Sequence, residues 1–388
     1  MTAVAEHRDI FIVCNSVNEL GGLTQWVHDI SRLFTARGHR VRLIGVEPAS
    51  DYRDFGSDLP YQTITLHADR LPRRRKAKGL GGLNPKRALR TRQRQRIFEH
   101  GVERLNEILR TASGPGAVVI AAQVWAGEWV VAADTTGMQV IGMSHESFEA
   151  CRNSSRYRRV LKFYGQMDIH LSLTDADADA WAIAKPGMSN VGAMPNPLMT
   201  VPKTMPTLDE KTVVSLRRLS HDKGLDMLLE AWALVGPQHP DWSLKIFGAG
   251  PDEQALRTQA RDLGFDDKLI FQGKTSDIDG ALSSASIYAL PSREEGFPIA
   301  VMEAMAYGLP TVAFDCAPGI RELIDDEVSG GLVVTAGNVP GFAAGLERLI
   351  KDRELRGRLG AAGRDSVRRF TPDSIVDRWE SLFALLDR

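Results

Sequence analysis

At 388 residues the chain exceeds the size at which one hydrophobic core keeps growing, so two domains of roughly half that length are expected. Hydrophobic side chains at 43% and charged ones at 25% exclude a disordered or fibrous chain, and three widely separated cysteines, Cys14, Cys151 and Cys316, argue against a disulfide framework and a zinc site. The net charge of -1 hides an asymmetry: residues 1–200 carry 26 basic and 20 acidic side chains, about +6, which leaves about -7 for the remainder.

From the N-terminus, the polar stretch Met1 to Asp9 runs straight into the apolar strand Ile10 to Cys14, too short for the core of a signal peptide and without a basic flank. No run of about 18 apolar residues occurs, so no spanning helix is expected. The expectation is a cytoplasmic protein, with any membrane contact peripheral at the inner face. A helix near Thr24 to Arg37 follows, preceded by Gly21 and Gly22. That pair is either a simple turn or a place where a phosphate or sugar approaches the backbone with no Cβ in the way.

After a strand at Val41 to Val46 comes Arg70 to Arg96, RLPRRRKAKGLGGLNPKRALRTRQRQR, which contains no acid. It reads as a solvated loop, as a surface for anionic lipid head groups, or as a device that steers an anionic acceptor. No nucleic-acid module accompanies it, so specific nucleic-acid binding is not expected. Strands follow at Val118 to Ala122 and Val140 to Met143, and His145 sits just past the second, where open parallel sheets place ligands. In LTDADADAWAIA, Thr174 and Asp177 mark a helix start rather than a metal-binding pair of aspartates, so no metal is expected.

The alternation pauses at Gly192 to Pro206, where four prolines suggest an interdomain connection. It restarts with strands at Val213 to Leu216, Leu244 to Phe247, Leu269 to Phe271, Ile287 to Leu290 and Thr311 to Phe314, separated by helices such as Leu225 to Val235 and Pro251 to Leu263. Strands alternating with helices imply parallel sheets covered on both faces, hence two doubly wound α/β domains. The tail, Pro372 to Arg388, reads as an amphipathic helix with Ile375, Trp379, Leu382 and Leu385 on one face. The expected domains are 1–198 and 199–371, with the helix 372–388 packing back on the first.

The strongest local signal is PSREEGFPIAVMEAMAYGLPTVAF, residues 291–314. Pro298 suits a first helical turn, because its missing N–H is an orphan there anyway. Glu295 then lies in a loop and Glu303 inside the helix, with both carboxylates able to face one cleft. The free amides of Phe297 to Val301, Ile299 among them, form a site for a phosphate at the positive helix end. Taken alone, the glutamates also fit an amphipathic helix with a solvated face.

The flanks narrow the choice. Glu295-Gly296-Phe297, then Glu303-Ala304-Met305-Ala306 and Gly308-x-Pro310, resemble the signature of family 4 retaining glycosyltransferases, with Pro298 where such proteins often have glycine. VVSLRRLSHDKGLDMLLEAW resembles the family's Gly-Arg-Leu and Lys-Gly segment, with Arg218 and Lys223 in the two cationic positions and Arg217 in place of the glycine. A diphosphate leaving group needs such cations, because negative charge builds on it as the glycosidic bond breaks. The resemblance spans nearly the whole chain and is sharp from about Val213 to Leu323. It implies the GT-B fold, two Rossmann-like domains facing each other across a cleft that closes over a nucleotide-sugar donor.

It further implies that Gly248 and Gly250 of IFGAGPDEQAL line the nucleotide pocket, that Gly273 and Lys274 lie near the base, that Gly21 and Gly22 touch the donor, and that His145 stands beside its sugar. A bare dinucleotide fingerprint is the other reading of that turn, but the third glycine is missing. The implied reaction is transfer of a hexose or N-acetylhexosamine from a nucleotide diphosphate sugar, uridine-linked by preference, to a hydroxyl acceptor with retention. A cell-envelope polymer or lipid-linked saccharide would be the acceptor. The catalytic set is Arg218, Lys223, Glu295 and His145, with no cofactor and no metal. The rivals are an NAD-dependent oxidoreductase and a non-catalytic nucleotide-sugar-binding protein of the same fold.

Overall fold

The computed structural model describes residues 7–71, 85–114, 116–184, 190–266 and 270–387, with backbone alone over 85–91. The chain divides into two compact units, Met1–Met194 joined by Val376–Arg388, and Pro195–Ile375.

The first unit holds seven parallel strands: β1 (Asp9–Cys14), β2 (Arg40–Gly45), β3 (Gln62–Thr65), β4 (Val118–Ala121), β5 (Gln139–Met143), β6 (Ile169–Ser172) and β7 (Val191–Ala193). They lie in the order β3-β2-β1-β4-β5-β6-β7. Strands covered by helices on both faces carry continuous apolar runs, and β1, DIFIVC, is buried along its whole length. Phe11, Val13, Ile44, Val119, Val130 and Trp181 belong to the core built on this sheet. Of the basic stretch, residues 72–84 lie outside the described residues; its end forms the first turns of the helix Pro85–Leu109.

The last helix, Pro372–Leu386, buries Ile375, Val376, Trp379 and Phe383, and the rings of Trp379 and Phe383 each meet Phe34 at 5.8 Å. The expected apolar face is corrected at its end: Leu385 is 58% exposed and Phe383 takes its place, because the stripe of a 3.6-residue helix continues from Trp379 through Phe383. Asp387 pairs with Arg8, and Glu380 accepts from Arg37 at 3.3 Å.

The second unit contains β8 (Thr212–Leu216), β9 (Ser243–Phe247), β10 (Phe271–Gly273), β11 (Ile287–Leu290), β12 (Thr311–Asp315) and β13 (Gly331–Thr335), again all parallel, in the order β10-β9-β8-β11-β12-β13. Strand β10 begins where the sequence reading ended it, at Phe271. In both sheets the direction of winding reverses once, between β1 and β4 and between β8 and β11. Loops that leave the carboxyl ends of the two strands at such a point diverge and open a crevice for ligands. In the second unit the dense motifs lie there.

The connection is held to the second unit from Leu198 onward, where its N–H donates to the Phe370 carbonyl at 2.7 Å. The division at Met194 follows from the same fact: Met194 still donates to Ser172 of the first sheet.

Candidate active site

Strand β8 delivers Arg217, Arg218 and Lys223; its neighbour β11 delivers Ser292, Glu295, Gly296 and Phe297. Two separated stretches of sequence therefore converge because their strands are adjacent. Glu295, with its side chain 9% exposed, accepts from Lys223 Nζ at 3.2 Å and from the Arg217 guanidinium, which also donates to Ser292 Oγ at 3.0 Å. Lys223 lies 3.2 Å from Asp222 as well. Burial pushes the Lys223 ammonium below its ordinary range, and the Arg217 charge pushes in the same direction while Asp222 opposes both.

The structure thus assigns the buried cation beside Glu295 to Arg217, not to Arg218. Arg218 is exposed, and its guanidinium has no protein partner among the described residues. The signal for Arg217 was in the sequence as a departure from the glycine of the resembling family. Ser292, Tyr288 and Thr200 had no signal there.

Backbone packing fixes these loops. Gly224 has φ +64°, and a Cβ on it would lie 2.0 Å from the Pro291 carbonyl oxygen, so only glycine lets the Lys223 loop meet the Glu295 loop so closely. Gly248, at φ +146°, would place a Cβ 1.7 Å from the Arg217 oxygen, and Gly250 one 2.1 Å from that of Leu219. Arg217 N–H donates to Phe247 O, and Leu219 N–H to Ala249 O. Gly248 and Gly250 therefore serve the packing of the cation-bearing loop. Lys274, after β10, is exposed.

The helix Ile299–Ala306 begins after Pro298, which occupies its N-cap. One expectation is corrected here: Val301 N–H donates to the Pro298 carbonyl at 2.9 Å, so it is not free. Among the described residues the amides without a protein partner at this end are those of Phe297, Ile299 and Ala300, since Pro298 has none to offer. Phe297 is buried with its ring 5.2 Å from Phe370. Glu303, on the same helix, accepts from Thr200 Oγ1 at 2.7 Å, and burial pushes its carboxyl above the usual range, with that hydrogen bond acting against the rise. Burial pushes the Tyr288 hydroxyl of β11 above its ordinary range, with the Arg217 charge acting against the rise and the Glu303 charge adding to it.

In the first unit, Gly21 and Gly22 are exposed where the loop after β1 enters the helix Gly22–Ala36, and a Cβ on either would meet nothing within 4 Å. His145, beyond the carboxyl end of β5, meets Trp26 of that helix edge-on, with ring centroids 4.4 Å apart. Its Nε2 is enclosed and has no partner among the described residues, and burial pushes the imidazole down to about 3, so it is neutral at ordinary pH. Asp177 is committed to Thr174 Oγ1 at 2.7 Å and to the Phe148 N–H at 2.8 Å, as a helix-start acid should be.

This architecture is that of the GT-B glycosyltransferases: TarM of S. aureus, crystallised with Fondaparinux, alpha-GlcNAc-glycerol and UDP, superposes with a TM-score of 0.77 over 97% of this chain and 99% of that one at 15% identity. Anabaena HepE in complex with UDP is similar at TM-score 0.74, 17% identity, and 97% and 99% coverage. Residues 202–366 match the model of the family Glycosyl transferases group 1. An uncharacterized glycosyltransferase of Haemophilus influenzae is 34% identical over 213 residues, 55% of this chain and 60% of that protein. The chain thus spans somewhat under two thirds of that relative's length.

Proposed function

We propose that this protein is a retaining glycosyltransferase that moves a hexose or N-acetylhexosamine from a UDP-linked donor to a hydroxyl of a cell-envelope polymer or lipid-linked saccharide. The observation that carries the reading is the cluster at the β8–β11 switch point. Lys223, the exposed and unpartnered Arg218, and the open amides of Phe297, Ile299 and Ala300 are gathered at one end of the second sheet. Cations and a positive helix end at one place suit a pyrophosphate, and they stabilise the charge that grows on it as the anomeric bond breaks.

In this reading Glu295 and Glu303 accept hydrogen bonds from donor hydroxyls rather than attack the sugar. The departing diphosphate oxygen takes the acceptor proton on the same face, and no divalent ion is needed beside the cations. Gly21, Gly22 and the neutral His145 touch ligand at the edge of their own sheet; a neutral imidazole there can orient a hydroxyl but carries no charge. The basic stretch Arg70 to Arg96 draws in an anionic acceptor or an anionic lipid surface. Among the described residues no helix is long and apolar enough to cross a membrane.

The test is UDP release from a panel of UDP-sugars, with the product's anomeric configuration read by NMR and the assay repeated in EDTA. Wild-type protein should release UDP and give a product of unchanged configuration in EDTA. Lys223→Ala should lower kcat/KM by about 10²–10³-fold, the range for removing one group that stabilises transition-state charge. A chain that neither binds nor cleaves any nucleotide sugar, or that Lys223→Ala leaves unchanged, would overturn the reading.

A further inference from the structure

Arg217 is buried: its side chain is 5% exposed, against 22% for Lys223. Its guanidinium is enclosed by Ser292 and Glu295, and its main chain is clamped by Phe247 and by the close approach of Gly248. Lys223 differs in kind. Its backbone is anchored beside Gly224, but the long flexible stem ends in an ammonium shared between Asp222 and Glu295.

An ammonium in that place has a difficulty. If it alone neutralised Glu295, moving onto an incoming phosphate would leave a buried carboxylate without a partner, which is strongly penalised. Arg217 removes the difficulty, because Glu295 stays paired when Lys223 departs. The guanidinium also repels the ammonium, which already holds its proton less tightly than an ordinary lysine. An anion that accepts Lys223 relieves both.

We propose that Arg217 is a positioning residue that holds the Glu295 carboxylate permanently, so that Lys223 is free to leave it for the diphosphate of the incoming nucleotide. The proposal rests on reading the second unit as a nucleotide-diphosphate site. It assigns to the arginine that stands in the family's glycine position a role distinct from phosphate binding.

The experiment is calorimetric titration of the full chain with UDP, for wild type, Arg217→Met, Arg217→Lys, Glu295→Gln and the double variant Arg217→Met/Glu295→Gln, each first checked for a wild-type-like melting transition. Arg217→Met should weaken UDP binding by about tenfold or more, because Lys223 becomes the only partner of Glu295, while Arg217→Lys should stay within about threefold of wild type. Adding Glu295→Gln to Arg217→Met should restore affinity to within about threefold of Glu295→Gln alone, a coupling that a purely structural role would not produce.

UDP affinity unchanged in Arg217→Met would overturn the proposal. So would a double variant as weak as Arg217→Met, which would mean that Arg217 touches phosphate itself. Should Arg217→Met fail to fold, Arg217→Lys and the double variant, which leaves no unpaired carboxylate, carry the same decision. If wild type binds neither UDP nor GDP nor inorganic pyrophosphate, the nucleotide-diphosphate reading fails and the role of Arg217 falls with it.

Discussion

The two units carry their candidate residues on the same feature, the carboxyl edge of a parallel sheet, but with different materials. The second unit uses charge in a locked backbone: Arg217, Lys223 and Glu295 sit on loops whose glycines are forced by close contact or positive φ. The first uses neutral groups and open space: His145 and Trp26 in ring contact, and two glycines that nothing among the described residues requires. A rigid backbone keeps Arg217 on Glu295 and aims the Lys223 stem, so only that one side chain has to move when a diphosphate arrives. A glycine that the fold does not need is better explained by something outside the fold.

The largest test of that contrast is a matched pair. Gly248→Ala forces a side chain into φ +146° and into the Arg217 carbonyl, and it should destabilise the second unit by about 3 kcal/mol or more. Gly21→Ala has an extended backbone and no neighbour, so its stability should change by less than about 1 kcal/mol, in either direction. Denaturant unfolding decides both. Equal losses would erase the contrast; a stable Gly21→Ala with impaired transfer would sharpen it.

Next in size is the pH response of the neutral edge. Burial pushes both His145 and His170 down to about 3, while the unfolded chain takes up their protons near 6.5. The folded state therefore binds fewer protons than the unfolded one between these values. Their contribution is fully present above the unfolded value and is lost as pH falls through about 6.5 towards 3. Between pH 7.5 and 5.5, His145→Gln should lose about 1 kcal/mol less stability than wild type, an upper figure set by 1.4 kcal/mol per pH unit for one histidine. Identical losses would show that His145 is charged in the folded protein, and the edge would not be neutral.

How much of this the sequence disclosed follows the same division. The sheets were legible where apolar runs stand out, as in FIVC or VVSL; β3 (QTIT), β6 (IHLS), β7 (VGA) and β13 (GLVVT) were not, and for β3 and β7 the reason is that they are short and only partly buried. The glutamates and Lys223 were legible because helix start, strand end and spacing are local. Arg217 beside Glu295, 78 residues apart, was not, because adjacency of β8 and β11 is a property of the sheet. Local pattern ranked Arg218 above Arg217; burial reverses that order for the partner of Glu295.

The smallest effect concerns Glu303, a buried carboxylate of the second unit that touches no cation among the described residues. Among the described residues Glu303 is held by the Thr200 hydroxyl alone, and its carboxyl is raised by burial. A carboxyl raised on folding binds its proton more tightly in the folded chain, so its ionisation works against folding as pH climbs above the ordinary carboxylate range. The Thr200 hydrogen bond favours the ionised form and offsets part of that cost. Thr200→Val should therefore cost about 1 kcal/mol at pH 8, where the carboxylate is left bare, and clearly less at pH 5, where the acid is more often protonated. Unfolding at the two pH values measures the difference. A cost independent of pH would mean that Glu303 titrates as an ordinary surface acid. The asymmetry between a doubly paired Glu295 and a singly held Glu303 would then carry no electrostatic meaning.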